Sequence, residues 1–514
     1  MHRVRRLPLW FPPVVAVGVA VMAGAGAAAQ PSPSARAHQL ALVDRITWGV
    51  TPRDVVAIAA MGEAGWLQAQ LHPPPGDRLP AAVQAQIDAL PLSHASTEKM
   101  VIDFTAQRQA AAAVADPDGR QAARQALKQA EAEMGAQAVT RSLWRDLYSP
   151  DQLKEQMTWF WLNHFNVLAF KDHIRPTMGD YEDQAIRPHA LGRFRDLLEA
   201  TLRQTAMLRY LDNDRNAAGA VNENYARELL ELHTMGVGSG YTQADVEALA
   251  RILTGVGVNL TGRTPNLGSA HRDLYLKTGL FEFNPDRHDF GDKLFLGHRI
   301  KGAGLPEVEQ ALDILSRQPA TARHISRELA TYFVSDDPPA ALVDRMAAAF
   351  RRTDGDIAAV LQTLFASREF DASLGTRFKD PIHYVVSAVR LTVGDQVVTN
   401  PRPMHGWLRR MNEALYEHPA PDGYPLVSAA WNAPGQMAVR FEIARKIGGG
   451  AWVLFTPQGQ AAPAPAETAR LQQALYANLP QVPLADETRA ALGQALTPQE
   501  WNTLYLSSPE FMHR

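Results

Sequence analysis

Residues 222–236, NENYARELLELHTMG, decide the fold class because they separate into one polar and one apolar helical side. At about 100° per residue, the polar side of the helical wheel carries Glu223, Asn224, Arg227, Glu228, Glu231 and Thr234. The apolar side carries Tyr225, Ala226, Leu229, Leu230, Leu232 and His233. This period predicts an amphipathic α-helix over 223–235 that packs its apolar side into a core.

Signals of the same kind lie on both sides of this helix. Thr242 followed by Asp245 predicts the start of another helix, and residues 96–147, rich in Ala, Gln, Arg and Glu, predict a long helical hairpin. Residues 256–304 differ, because they are Gly-rich and carry only short apolar runs, which favours loops and a small β-hairpin. The predicted fold is therefore mainly α, a multi-helix globular array with a small irregular or β-hairpin insertion around 256–304.

The composition is that of an ordinary globular protein, and it excludes several classes of site. The 514 residues have a formal net charge of -3 and an isoelectric point near 6.6. This balance argues against a nucleic-acid-binding protein, which normally presents a basic face. The chain has no cysteine, so disulfides, thiolate metal sites and cysteine nucleophiles are excluded.

The N-terminus has the pattern of a secretory signal peptide. Arg3, Arg5 and Arg6 precede a mostly apolar stretch over 7–23, and small residues follow up to residue 29. A retained membrane anchor is the alternative, but the prolines and many small residues make a poor spanning helix. We therefore predict a signal peptide over 1–29, an exported protein that is periplasmic or extracellular, and no integral membrane span after signal removal.

The rest of the chain divides by composition. Residues 30–36, rich in Pro and Ser, predict a short tether, and residues 37–455 predict a main helical domain. Residues 456–466, rich in Ala, Pro and Gly, predict a linker. We expect residues 467–514 to form a C-terminal helical segment that packs on the main domain.

Several motifs, in order along the chain, resemble one bacterial protein family. They are Trp159-Phe-Trp-Leu-Asn-His-Phe165, Met207-Leu-Arg-Tyr-Leu-Asp212, the 222–236 stretch, Gly240-Tyr-Thr-Gln-Ala-Asp-Val246 and Pro419-Ala-Pro-Asp-Gly-Tyr424. Together they resemble the family known as domain of unknown function 1800. The resemblance implies a secreted, mostly helical protein of unestablished activity. The family often has a second His where this chain has Leu162, so a metal site that requires that His would be damaged here.

The loop at 212–223 has the oxygen-ligand spacing of a helix-loop-helix calcium site. Four residues with side-chain oxygens take loop positions one, three, five and twelve: Asp212, Asp214, Asn216 and Glu223. Ala217 stands where the tight turn of such a loop needs Gly, which weakens the match. The alternative is a polar loop whose side chains cap the neighbouring helices.

The polar side of the predicted 223–235 helix is a candidate catalytic face. It presents Arg227, Glu228 and Glu231 next to loops, where sites are commonly built. The alternative is a solvated face on which Glu–Arg pairs contribute only tenths of a kcal/mol each. On a regular helix, His233 lies about 200° from Glu231, which favours a hydrogen-bonded core histidine over a metal ligand.

Histidines and carboxylates of the middle third would form a divalent-metal site if they converge. His288 and Asp289 lie in the irregular segment, where exposure is expected, and we assign them both catalytic and metal-binding roles. His164 and Glu223 are the further candidate ligands, since His and carboxylate suit zinc, iron or manganese. For His164 the alternative is a structural role, because it lies on the apolar side of its helix.

Stronger catalytic signatures are absent from the sequence, which has no nucleophile elbow, no His-Glu-x-x-His pair and no phosphate loop. Two functions therefore stay open. The first is a metal-dependent enzyme, such as a hydrolase, with a His/carboxylate site. The second is a non-catalytic binding or assembly partner of another exported protein or a polymer, suggested by Tyr424 and Trp431 in a Pro/Gly-rich loop.

Overall fold

The computed structural model describes residues 33–456 and 484–514. The predicted signal peptide lies outside the described residues, and so does the predicted linker except for residue 456. Residues 33–36, expected to belong to a tether, instead begin the first helix. The export signal and the linker therefore stay predictions.

Helices dominate the described part of the chain, which contains 23 of them. Those before the insertion are α1 (Pro33–Ile46), α2 (Pro52–Leu71), α3 (Ala81–Asp88), α4 (Pro91–His94), α5 (Thr97–Ala113), α6 (Pro117–Tyr148), α7 (Gln152–His164), α8 (Met178–Asp180), α9 (Phe194–Leu202), α10 (Thr205–Tyr210), α11 (Asn224–Glu231) and α12 (Gln243–Ile252). Those after it are α13 (Leu305–Ser316), α14 (Pro319–Phe333), α15 (Ala340–Arg352), α16 (Ile357–Phe365), α17 (Arg368–Ser373), α18 (Pro381–Val393), α19 (Arg402–Arg410), α20 (Pro434–Gly448), α21 (Asp486–Gly493), α22 (Pro498–Leu506) and α23 (Pro509–Met512). The mainly α prediction is confirmed.

Local sequence signals place several helix starts where they were expected. The Thr242 side chain accepts a hydrogen bond from the Asp245 amide, and Asp245 accepts one from the Thr242 amide, so the two residues form a capping box for α12. The predicted hairpin over 96–147 is also present, because α5 and α6 pack against each other. Asp116 caps the start of α6 by accepting from the Gly119 amide.

The insertion at 256–304 carries two small antiparallel sheets, where the sequence indicated one hairpin. β1 (Val256–Val258), β2 (Leu276–Thr278) and β3 (Phe281–Phe283) form the first sheet in the order β1-β3-β2. β4 (Lys293–Phe295) and β5 (His298–Ile300) form the second. All three residues of β3 are buried, so the first sheet packs against the helical core.

The core extends without a break into the C-terminal helices. α18 is buried along its whole length and contacts α6, α19 and α20. The Tyr384 hydroxyl on α18 lies 3.0 Å from the Arg440 carbonyl and 3.2 Å from the Leu506 carbonyl, which joins α18, α20 and α22. The described C-terminal helices thus share the main core, while the predicted domain boundary at residue 455 stays a prediction.

The helix from the 222–236 stretch is shorter than predicted. α11 ends at Glu231, and the following residues turn inward, so Thr234, placed on the polar side by the helical wheel, is buried. Its hydroxyl donates to the Leu229 carbonyl at 2.6 Å. Within the described ranges, no helix combines the length and the apolar character that a membrane span requires.

Candidate functional site

A groove follows one face of α6. The α6 residues that line it recur at helical spacing and are Arg124, Leu127, Lys128, Glu131, Ala132, Gly135, Ala136, Val139 and Thr140. At 1.5 Å per residue, the stretch from Arg124 to Thr140 is about 24 Å long. The floor of the groove is therefore one straight helical face.

The first section of the groove is a cavity of about 750 Å³. Its walls are α5, α6 and the loop at 169–175. Phe170 in that loop is 56% exposed, which is unusual for a large aromatic side chain. The guanidinium carbon of Arg175 lies 4.6 Å from the centre of the Phe170 ring. An exposed ring and a cation therefore stand side by side at this wall.

Two further cavities continue the groove past Phe170. A cavity of about 300 Å³ shares Phe170 and Arg175 with the first. It shares Arg409 and Glu417 with a third cavity of about 460 Å³. Since neighbouring cavities have lining residues in common, the three form one continuous groove between α6, α19 and the loop at 411–431.

Some charged groups of the groove are neutralised within the protein. Glu131 accepts hydrogen bonds from Arg108 at 2.6 Å and from His173 at 2.9 Å. Burial alone would raise the pKa of Glu131, but the hydrogen bond and charge of His173, together with Arg108, outweigh it and lower that pKa. Glu417 is similarly held by Arg409, whose Nε lies 2.8 Å away.

Three cations of the groove have no such neutralisation. Arg124 and Lys128 are exposed on α6, and Arg175 is half-buried beside Phe170. None of the three forms an ion pair with a carboxylate in the part of the chain that the structure describes. Their charges face the first cavity, so this section of the groove is electropositive.

Three residues that line the groove have positive φ angles. Eight described residues other than glycine have positive φ angles, a conformation that such side chains adopt reluctantly. Asp172 and His173 are consecutive members of this set and line the first cavity. Asn412 lines the third cavity, and Tyr416 precedes Glu417. Strain of this kind is found preferentially at binding and catalytic sites.

The Pro/Gly-rich loop lines the third cavity of the groove. The Asn166 amide donates to the carbonyls of His418 and Ala420, and the Tyr424 hydroxyl donates to the Ala414 carbonyl at 2.8 Å. Trp431 is only 5% exposed, and its indole N–H donates to the Pro425 carbonyl. Tyr424 and Trp431 therefore line the third cavity with their rings held by hydrogen bonds, and they are not freely exposed.

The candidate ligands of the predicted calcium loop contact other groups of the protein. Asp212 lies 2.8 Å from the Lys171 ammonium, and Asp214 lies 3.7 Å from Arg209. Asn216 is fully buried, where its amide donates to the Ala250 carbonyl and its oxygen accepts from the Asn222 amide. Burial raises the pKa of Asp214. The residue before α11 makes no side-chain capping hydrogen bond, so the alternative of a capping loop is not confirmed, and the calcium site stays a prediction.

Charged residues on the polar side of α11 form ion pairs with one another. Arg227 lies 2.9 Å from Glu223 and 3.5 Å from Glu231, as expected for a solvated helical face. Burial, together with the charges of Glu231 and Asp422, raises the pKa of Glu228, and Arg227 opposes this shift. The catalytic roles assigned to Arg227, Glu228 and Glu231 stay predictions.

The two candidate histidines are held by different carboxylates. His164 Nδ1 lies 2.6 Å from Glu328 Oε2, and its Nε2 lies 3.2 Å from the His233 carbonyl. His288 was expected to be exposed, and this is wrong, because its side chain is completely buried. Its Nε2 lies 2.8 Å from Glu307 Oε1, and its Nδ1 lies 2.7 Å from the Thr254 carbonyl.

The predicted shared metal site does not assemble from His164, Glu223, His288 and Asp289. Among the described residues, no group of three or more His, Asp or Glu side chains is arranged to hold a metal ion. The physical reason is that each candidate has a partner from another element; Asp289, for example, accepts from Arg251 at 2.7 Å. The irregular sequence around His288 did not indicate that its side chain is buried.

The fold and groove define a mainly α globular protein with a long, partly electropositive surface groove. The family model described as protein of unknown function (DUF1800) matches residues 41–513, and the chain therefore belongs to this family. No curated protein and no solved structure is detectably similar to the chain. The family membership agrees with the resemblance of the sequence motifs and leaves the activity open.

Proposed function

We propose that this chain is an exported binding protein whose groove along α6 holds a carboxylated polysaccharide without cleaving it. The observation that carries the proposal is the set of three cations without carboxylate partners, Arg124, Lys128 and Arg175, in a cavity of about 750 Å³. Unpaired cations that share one cavity attract a ligand with several negative charges.

The other lining groups suit sugars better than nucleic acid. Asp172 and Glu417 also line the groove, and carboxylates accept hydrogen bonds from sugar hydroxyls. The exposed Phe170 ring offers an apolar face on which the C–H face of a sugar ring can stack. The lining thus offers cations for the carboxylates of an acidic sugar polymer, carboxylates for its hydroxyls and one aromatic ring for a sugar face.

The shape of the groove supports an extended ligand. The small side chains Ala132 and Ala136 leave room on the floor for a ligand, while the Arg175 side chain covers Gly135. A face about 24 Å long accommodates several sugar units in a row. The positively charged N-terminal region followed by an apolar stretch supports export, which would bring the protein to extracellular polymers.

Binding of polygalacturonate to the purified protein tests the proposal, with dextran as the uncharged control. We expect polygalacturonate to bind, and the triple variant Arg124→Gln, Lys128→Gln, Arg175→Gln to bind it about tenfold or more weakly. A matched control is Arg351→Gln, Arg352→Gln, Lys446→Gln, which removes the same charge from exposed positions outside the groove. We expect this control to bind like the wild type.

Three outcomes would count against the proposal. If both triple variants bind polygalacturonate equally weakly, binding depends only on the net charge of the protein. Equal binding of dextran would show that the carboxylates are not recognised. New reducing ends released during incubation would show cleavage, which would favour the hydrolase hypothesis over a non-catalytic role.

A further inference from the structure

A separate cavity lies where the first and the last described helices meet. Its volume is about 490 Å³, and its walls come from α1, α2, α18, α22 and α23. It has no lining residue in common with the groove along α6. The volume falls in the range of about 300–1,000 Å³ that is typical of sites for small molecules.

Most of the wall is apolar. The apolar lining side chains include Leu40, Val50, Val55, Val56, Leu391, Tyr505 and Phe511. Val56 is 68% exposed, so the cavity opens to solvent on the α2 side. A ligand that fills this cavity must therefore present an apolar body to the protein.

The polar feature that distinguishes the wall is the ammonium group of Lys379. Its side chain is only 3% exposed. The ammonium group has three N–H donors, and among the described residues its one hydrogen bond is long, 3.3 Å to Asp44 Oδ1, with Asp44 Oδ2 at the same distance. It also lies 4.4 Å from the centre of the Phe511 ring. Burial lowers the pKa of Lys379 although Asp44 opposes the shift, so a second anion at this point would compensate the buried charge.

The remaining charges favour an anion over a cation in this cavity. Arg36 lines it without a carboxylate partner among the residues that the structure describes. Glu510 is already engaged, because it accepts hydrogen bonds from the Ala485 amide and the Thr488 hydroxyl. The lining carboxylates Asp44 and Glu510 thus face three lining cations, Arg36, Lys379 and Arg514.

We infer that this cavity binds a monocarboxylic acid with an unbranched apolar tail, such as a medium-chain fatty acid. The carboxylate accepts hydrogen bonds from the free donors of Lys379, and the tail lies against the walls formed by α1, α2 and α22. A single buried ammonium group matches a single carboxylate, while the apolar wall excludes a polar sugar.

Calorimetric titration of the full chain with decanoate and with decanol tests this inference. We expect decanoate to bind more tightly than decanol, because only decanoate can pair with Lys379. The variant Lys379→Met should weaken decanoate binding about tenfold or more and leave decanol binding unchanged. Lys301→Met, at an exposed position outside the cavity, serves as the matched control.

A second variant keeps the test valid if Lys379→Met fails to fold. Val56→Trp places a large side chain at the exposed mouth and leaves the Lys379–Asp44 pair intact, and we expect it to weaken binding of both ligands. The inference is overturned if decanoate does not bind the wild type at about 1 mM. It is also overturned if both variants bind decanoate as the wild type does.

Discussion

His233 illustrates how far a single residue can be interpreted from sequence. Its position on the apolar side of the 222–236 stretch predicted a core histidine, and the structure buries it completely. The expected hydrogen bonds are missing, because neither ring nitrogen has a partner among residues 33–456 and 484–514. Helical periodicity could indicate the burial of the ring, but its partners depend on where the chain turns after α11 ends, and periodicity carries no information about that turn.

The buried His233 predicts a loss of stability in mild acid. Burial lowers the pKa of His233 well below 6.5, and His164 and His324 lower it further. In the unfolded chain the ring binds a proton near its ordinary pKa, so the free energy of unfolding falls as the pH drops below 6.5. The loss due to this residue reaches about 2 kcal/mol at about pH 5.

Urea unfolding of the wild type and of His233→Asn, at about pH 7 and about pH 5, checks this prediction. We expect the variant to lose about 2 kcal/mol less than the wild type between the two pH values. His298→Asn, at an exposed position, should lose as much as the wild type. An identical loss in His233→Asn and the wild type would contradict the assignment.

The candidate site residues show why distant partners escape sequence reasoning. His164 and Glu328 are 164 positions apart, and nothing between them indicates that α7 and α14 meet. The two ring nitrogens of His164 face two oxygens, Glu328 Oε2 and the His233 carbonyl. The type of side chain was a correct indication of polar chemistry at His164, while the inferred metal partners were wrong.

At the scale of elements, the insertion at 256–304 is anchored to α13 by buried charges. Glu307 accepts hydrogen bonds from His288 at 2.8 Å and from Lys293 at 2.5 Å, and all three side chains are completely buried. Burial alone would raise the pKa of Glu307, but these hydrogen bonds and those from two backbone amides lower it. This buried carboxylate is therefore one of the contacts that join the insertion to the helical array.

Removal of that carboxylate should destabilise the protein strongly. Glu307→Ala leaves Lys293 and His288 buried without a partner, and we expect the free energy of unfolding to fall by about 3–5 kcal/mol. Hydrogen exchange should accelerate first in β3, β4 and β5. Glu309→Ala is the matched control, because this neighbour forms partly exposed pairs with Arg195 and Arg203, worth about 0–1 kcal/mol. Similar losses in both variants would contradict the anchoring role.

Helices were easier to predict than the groove that they form. The long hairpin of α5 and α6 follows from composition, and Arg124, Lys128 and Glu131 recur at the spacing of one helical face. The opposite wall was not visible, since the contact between Arg402 on α19 and Glu133 on α6 spans 269 positions. Periodicity in a sequence indicates which face of a helix carries the charged side chains. It does not indicate which other element lies opposite that face.

At the scale of the whole molecule, the C-terminal helices belong to the main core and should unfold with it. Leu506 on α22 is fully buried, so Leu506→Ala should lower the free energy of unfolding by about 2–5 kcal/mol. Calorimetry should show one shifted transition. Leu496→Ala, at a position that is 91% exposed, should change stability by no more than about 0.5 kcal/mol. Two separate transitions would instead indicate an independent C-terminal unit.

The central claim is that the groove along α6 is the surface that recognises a carboxylated polymer. Carbodiimide activation of bound oligogalacturonate tests it most directly, because an activated carboxylate forms an amide with a lysine amine that lies beside it. The account predicts that the adduct forms mainly on Lys128, the lysine that lines the first cavity, and that excess polygalacturonate suppresses it. Adducts spread equally over exposed lysines such as Lys301 and Lys446, with none favoured at Lys128, would contradict the account.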